Sequence, residues 1–162
     1  MIMSRFKCNK TAGCKRCGGC CIIRDEAILN EAEDKKVRES IYNKTGILYI
    51  YPLHKLTLSL TPDELKAVEK EAKKRNIALN IKPKKVTYNC NNDTIKVIDW
   101  CIDSKVCPFL KGNACIIYSK RPEICRKFPF IEAQKLGEIY KENAQLPFEY
   151  AMKKAKKLCM MK

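Results

Sequence analysis

Four cysteines crowd into the run Cys14-Lys15-Arg16-Cys17-Gly18-Gly19-Cys20-Cys21, a C-x2-C-x2-C-C pattern near the start of the chain. Thiolates two residues apart can face one metal because a tight turn brings their side chains together, and Gly18 and Gly19 give that turn its backbone freedom. Lys15 and Arg16 favour the thiolate form by nearby positive charge, which both metal binding and redox chemistry need. Cys8 stands just ahead of the run. A second block, Cys90, Cys101, Cys107, Cys115 and Cys125, follows after roughly seventy residues, and Cys159 stands apart near the C-terminus. Any site shared by the two blocks must be closed by folding of the chain between them.

The first residues, Met-Ile-Met-Ser-Arg-Phe-Lys-Cys, carry no apolar signal stretch, so the expectation is a cytoplasmic protein. In a reducing compartment disulfides do not persist, and clustered cysteines serve as metal ligands or redox groups. The total of 11 cysteines is odd, which spoils a complete disulfide framework. A hyperthermophile cytosol is the exception to this rule, and the Lys/Glu-rich, Gln-poor composition is compatible with one. At 46% hydrophobic residues the chain can bury a core and is no disordered basic tail. No run approaches the ~18 apolar residues of a membrane-spanning helix.

The middle of the chain reads as α+β structure. Asp25 to Tyr42 has apolar residues at helical spacing (Ile28, Leu29, Ala32, Val37, Ile41), and Gly46 terminates it. Ile47 to Tyr51 and Leu56 to Leu60 read as strands. Thr61-Pro62-Asp63-Glu64 starts a helix by a capping box with proline in the first turn, and that helix runs to about Arg75, burying Leu65, Val68 and Ala72. Ile77 to Ile81, Val86 to Tyr88 and Thr94 to Ile102 read as short strands, with a turn at Asn91-Asn92. Further on, Lys111-Gly112-Asn113 is a turn, Cys115 to Tyr118 a short strand, and Arg121 to Arg126 one helical turn. Pro147 to Cys159 is a basic helix with Phe148, Ala151, Met152 and Ala155 on one face and lysines opposite. The expectation is therefore one small α+β domain over residues 1–162, loop-rich around a multi-cysteine metal site, with its motif core at 14–129 and its C-terminal helix at 147–159.

Spacing alone does not choose the chemistry. C-x2-C-x2-C resembles the opening of a ferredoxin ligand run, but the fourth member three residues on, followed by proline, is missing. A thioredoxin-type Cys-Gly-Gly-Cys site normally follows a strand, and none precedes this one. One zinc needs four ligands and leaves several cysteines idle. Eight or so thiolates suit two four-ligand centres or one larger cluster.

The ordered set does match a known pattern. Cys14-x-x-Cys17-Gly18-x-Cys20-Cys21 comes first, then Cys107-Pro108-Phe109-Leu110. Cys115-Ile116-Ile117-Tyr118-x-x-Arg121-Pro122-x-x-Cys125-Arg126-x-Phe128-Pro129 completes it. Together these resemble the CxxCxxCC family of zinc- or iron-chelating proteins (YkgJ-like), often described as iron–sulfur-cluster-containing, and Thr61-Pro62-Asp63-Glu64 falls where that family has a leucine-threonine-x-x-glutamate segment. The resemblance implies metal ligation by Cys14, Cys17, Cys20, Cys21, Cys107, Cys115 and Cys125. The family's further cysteine after Arg-x-Phe-Pro is missing here, and Cys101, next to Trp100, is the expected substitute; Cys8, Cys90 and Cys159 remain as alternatives. The implied cofactor is an iron–sulfur cluster, up to two of the 4Fe-4S type, with zinc as the alternative. A relative, the flagellin lysine methylase group, carries a similar cysteine pattern, which adds protein-lysine methylation as a further reading that no other motif here supports.

Arg121 and Arg126 are expected beside the thiolates, donating hydrogen bonds to sulfur or to a bound anion. Tyr118 and Phe128 read as core packing. His54, the lone histidine, has no adjacent partner, and Asp25-Glu26 and Asp63-Glu64 read as helix-start charges rather than acid–base pairs. No Gly-rich phosphate loop is present. Two function classes remain: an iron–sulfur protein of electron transfer or accessory role, and a structural zinc module with a basic nucleic-acid-binding surface. The 33 Lys+Arg against 18 Asp+Glu, a net charge of +15, predict an acidic protein partner in the first case and phosphate contacts in the second.

Overall fold

Asn30 and Glu33 start the first helix by capping each other's backbone. Asn30 Oδ1 accepts from the Glu33 N–H at 2.9 Å, and the Glu33 carboxylate accepts from the Asn30 N–H at 3.0 Å. In the computed structural model, which describes residues 18, 21–22, 29–55, 57–127 and 146–160, this helix, α1, spans Glu31–Thr45 and stops at Gly46 with φ 73°. The expected start at Asp25 falls outside the described residues. The inner face also differs from the apolar spacing: Val37 is exposed, whereas Asp34, Tyr42 and Thr45 are buried. The loop after the next strand causes this. Its Leu53 and His54 N–H groups need acceptors, and the Asp34 carboxylate supplies them at 2.6 and 3.0 Å while pairing with Arg38 at 2.7 Å.

Strands β1 (Ile47–Tyr49) and β2 (Leu58–Leu60) precede helix α2 (Pro62–Lys74). The Thr61–Glu64 capping box is formed, and Leu65, Val68 and Ala72 are buried as their spacing predicts, with Glu71 among them. The sequence predicts two short strands after α2; the structure has one, β3 (Ile81–Asn89), while 77–80 lie outside it. Register shifts between Pro83 and Lys85 and between Lys85 and Val86 let the strand run past a proline that cannot donate to the ladder. A turn at Asn91-Asn92-Asp93, with Asp93 at φ 51°, leads into β4 (Thr94–Ile102), where the β-branched run predicts it.

The four strands pair antiparallel in the order β1-β3-β4-β2. After β4 comes a small hairpin, β5 (Leu110–Lys111) with β6 (Ala114–Cys115), turning at Gly112. Cys115 to Tyr118 is not the expected strand. The Ile116 N–H bonds back to Phe109 O at 2.9 Å, and a 3-10 turn follows over Tyr118–Lys120. Short α3 (Glu123–Lys127) and the basic α4 (Phe148–Met160) end the described chain.

The fold is α+β, with side chains leaving the sheet on alternating faces. One face packs Val86, Tyr88 and Ile95 against Tyr42 of α1 and Phe148, Ala151 and Ala155 of α4. The opposite face packs Leu60 and Ile102 against Leu65, Val68 and Ala72 of α2, together with Phe109 and Ile117 from the cysteine-bearing segment. No described helix is long and apolar enough to cross a membrane.

Candidate metal centre

The two cysteine blocks meet through the backbone. The Cys107 N–H donates to Cys21 O at 2.6 Å, and Ile22 and Val106 form an antiparallel bridge beside it. The Cys21 N–H bonds back to Gly18 O at 2.9 Å, closing a turn with Gly18 at φ 70°. A Cβ on Gly18 would lie 2.9 Å from Leu110 Cδ1 and 3.4 Å from Asn113 O. Gly18 thus rests on the β5–β6 hairpin at a position where only hydrogen fits without movement.

That closure brings Cys21, Cys107, Cys115 and Cys125 onto the wall of one cavity of about 340 Å³, counting its part open to solvent. Val68, Ile102, Phe109 and Ile117 give it apolar walls, and Arg121 and Pro122 also line it. Cys21 is 4% exposed. A hydrogen bond with the Cys21 thiol holds the Cys107 thiol down at about 7, against the upward push of burial. That direction favours the thiolate, the form that ligates metal.

Arg121 sits at the cavity, held by Tyr118: its Nε donates to Tyr118 O at 3.0 Å, and its guanidinium lies 3.8 Å from the ring centroid. Tyr118, expected in the core, is only half-buried and serves as a shelf for this cation. Arg126 is exposed on α3 and does not line the cavity.

Cys101 is not brought to this wall. Alternation along β4 puts it on the face of Ile95, Val97 and Asp99, opposite Ile102, which lines the cavity. It is fully buried there beside Lys84, and burial pushes its thiol up. Cys90 and Cys159 pack against the same core as α1 and α4, again away from the cavity. His54 Nδ1 lies 3.7 Å from Asp34 Oδ1, in the loop that Asp34 caps. Cys8, Cys14, Cys17, Cys20 and Phe128 lie outside the described residues.

Two carboxylates of α2, outside the cavity lining, bind the segment on either side of Arg121; the sequence reads Glu64 only as helix-start charge and does not single out Glu71. Glu64 Oε2 accepts from the Thr61 N–H at 2.9 Å, and Oε1 accepts from the Glu123 N–H of α3 at 2.6 Å. Glu71, buried, binds Lys120 at 2.6 Å and also pairs with Arg75. The Lys120 hydrogen bond, then that of Arg75, keeps its carboxyl at about 2. A glutamate inside the Leu65/Val68/Ala72 stripe was the available signal for Glu71. Nothing local signals the second bond of Glu64.

Among the described residues no three His, Cys, Asp or Glu side chains converge closely enough to hold a metal by themselves. Among the described residues that line the cavity, the donors are nonetheless all sulfur, and the one charged side chain, Arg121, is a cation that cannot ligate. Such a set fits a thiophilic metal, zinc or iron, and not a hard cation such as calcium or magnesium. One family model matches residues 13–159: CxxCxxCC, described as "Putative zinc- or iron-chelating domain". No curated protein and no solved structure shows a significant match to the chain.

Proposed function

The chain belongs to the CxxCxxCC family, and on that premise we propose that it is a cysteine-ligated iron–sulfur protein acting in electron transfer or as an accessory metalloprotein. The observation that carries this is the shared cavity of Cys21, Cys107, Cys115 and Cys125 with apolar walls and one arginine. These four cysteines ligate, and Cys14, Cys17 and Cys20 of the matched motif complete the donor set. Cys101 is left out because it faces the other side of the sheet.

When bound, a cluster would supply one-electron redox chemistry, with potential set by charge, hydrogen bonds to sulfur and solvent exposure. The chain's own part is structural and electrostatic. Phe109, Ile117 and Val68 keep one side of the site dry, and Arg121 offsets thiolate charge from its tyrosine shelf. Seven motif thiols exceed the need of a single zinc, which favours iron–sulfur over zinc. The net charge of +15 favours an acidic protein as the redox partner or client, and a reducing compartment such as the cytoplasm keeps the thiols competent.

Anaerobic purification with metal analysis and a visible spectrum tests the proposal. A brown protein with broad absorbance and stoichiometric iron and sulfide supports it, and the iron count gives the number of clusters. A colourless protein that holds only zinc after anaerobic handling rejects the iron–sulfur assignment. Cys125→Ser is expected to release metal; full retention would remove Cys125 from the ligand set.

A further inference from the structure

We propose that Glu64 is a positioning residue for the metal centre, holding Cys125 at the cavity by gripping the backbone at the start of α3; this deepens the metal-binding reading and rests on it. Capping α2 alone needs one carboxylate oxygen, and Glu64 Oε2 does that work on Thr61 at 2.9 Å. The other oxygen crosses 59 residues of sequence to the Glu123 N–H, at 2.6 Å. Cys125 follows two residues later in the same turn, its own N–H bonded to Pro122 O at 3.0 Å. The turn is short, so a shift at Glu123 carries Cys125 with it.

The rest of α2 agrees with this role. Residues 64, 68 and 71 share one helix face. Val68 lines the cavity between the two carboxylates, and Glu71 holds Lys120, the neighbour of Arg121, at 2.6 Å. One face of α2 therefore makes part of the cavity wall and anchors the chain at Lys120 and Glu123, which flank Arg121, with Cys125 two residues beyond the second anchor. By thermodynamic reciprocity, if the Glu64 contact favours metal, metal must also strengthen the Glu64 contact.

The test measures metal release from the purified holoprotein to excess chelator in wild type, Glu64→Gln and Thr61→Ala, together with hydrogen exchange at the Glu123 amide. Glu64→Gln keeps one acceptor oxygen for α2 but turns an amide donor towards the second N–H. Thr61→Ala weakens the cap of α2 and leaves the bond to Glu123 in place. Glu64→Gln is expected to release metal roughly tenfold faster, the range found for residues that orient ligands from outside the coordination shell, with Thr61→Ala close to wild type. Metal loading is expected to slow exchange of the Glu123 amide in wild type and to slow it less in Glu64→Gln. Equal release from both variants, or a Glu64→Gln rate matching wild type, overturns the proposal. A wild-type protein that holds no metal overturns the metal reading itself, and this shows before any variant is compared.

Discussion

Glu71 makes its contribution to the fold pH-dependent in a predictable direction. Its carboxyl is held at about 2 against an ordinary 4.5, first by Lys120 and then by Arg75. A depressed acid stabilises the folded state above its ordinary value, and that stability is lost as pH falls through the interval from 4.5 towards 2. Urea unfolding midpoints across that interval are expected to fall more steeply for wild type than for Glu71→Gln; parallel curves would contradict the assignment. Gly18 offers a second measurement. At φ 70° any side chain is strained, whereas the close Leu110 Cδ1 belongs to a flexible tip that can move. Gly18→Ala is therefore expected to cost about 1 kcal/mol from backbone strain, with a parallel loss of bound metal. Stability unchanged within error would mean that the turn relaxes.

Helix α1 depends on its cap as well as its packing, because its apolar spacing does not match its buried face. Asn30→Ala is expected to lower stability by about 1 kcal/mol, seen as a shifted denaturant midpoint at constant slope. Phe109, 1% exposed between the sheet and the cysteine hairpin, is expected to cost about 3–5 kcal/mol on replacement by alanine, with metal lost as the cavity wall collapses. What could be read ahead of the structure divides along physical lines. Helix α2 and strand β4 were legible because capping residues, periodicity and burial agree within one local segment. The strand through Pro83 was not, because a bulge is set by its partner β4 rather than by its own residues. The inward turn of Asp34 answers to unsatisfied amides of Leu53 and His54, some twenty positions away. Of the candidate site, spacing and family pattern single out Cys21, Cys107, Cys115, Cys125 and Arg121, and the fold brings these to one cavity. The face on which Cys101 sits required the strand's register, and the grip of Glu64 on Glu123 required the tertiary fold.

The sheet separates two cores, and metal at the candidate centre is expected to affect them differently. The face under α1 and α4 contains none of the cavity-lining cysteines, while the face under α2 includes the cysteine hairpin. Metal at a thousandfold excess over its dissociation constant adds roughly 4 kcal/mol to the bound state. Its removal should loosen the β5–β6 hairpin and α3 first. Hydrogen exchange on the chelated protein is expected to show lost protection there, with the amides of β3, β4 and α4 still protected. Uniform loss across the sheet would mean that both cores unfold together. The join between Cys21 and Cys107 also sets a clock. A ribosome must add 86 residues after Cys21 before the backbone partner that closes the site exists. At ~5–20 residues per second that is roughly four to seventeen seconds, during which the early thiols are present without the later ones. Metal delivered in that interval would meet only part of the proposed donor set, so loading of the complete site is expected only after synthesis has passed Cys125.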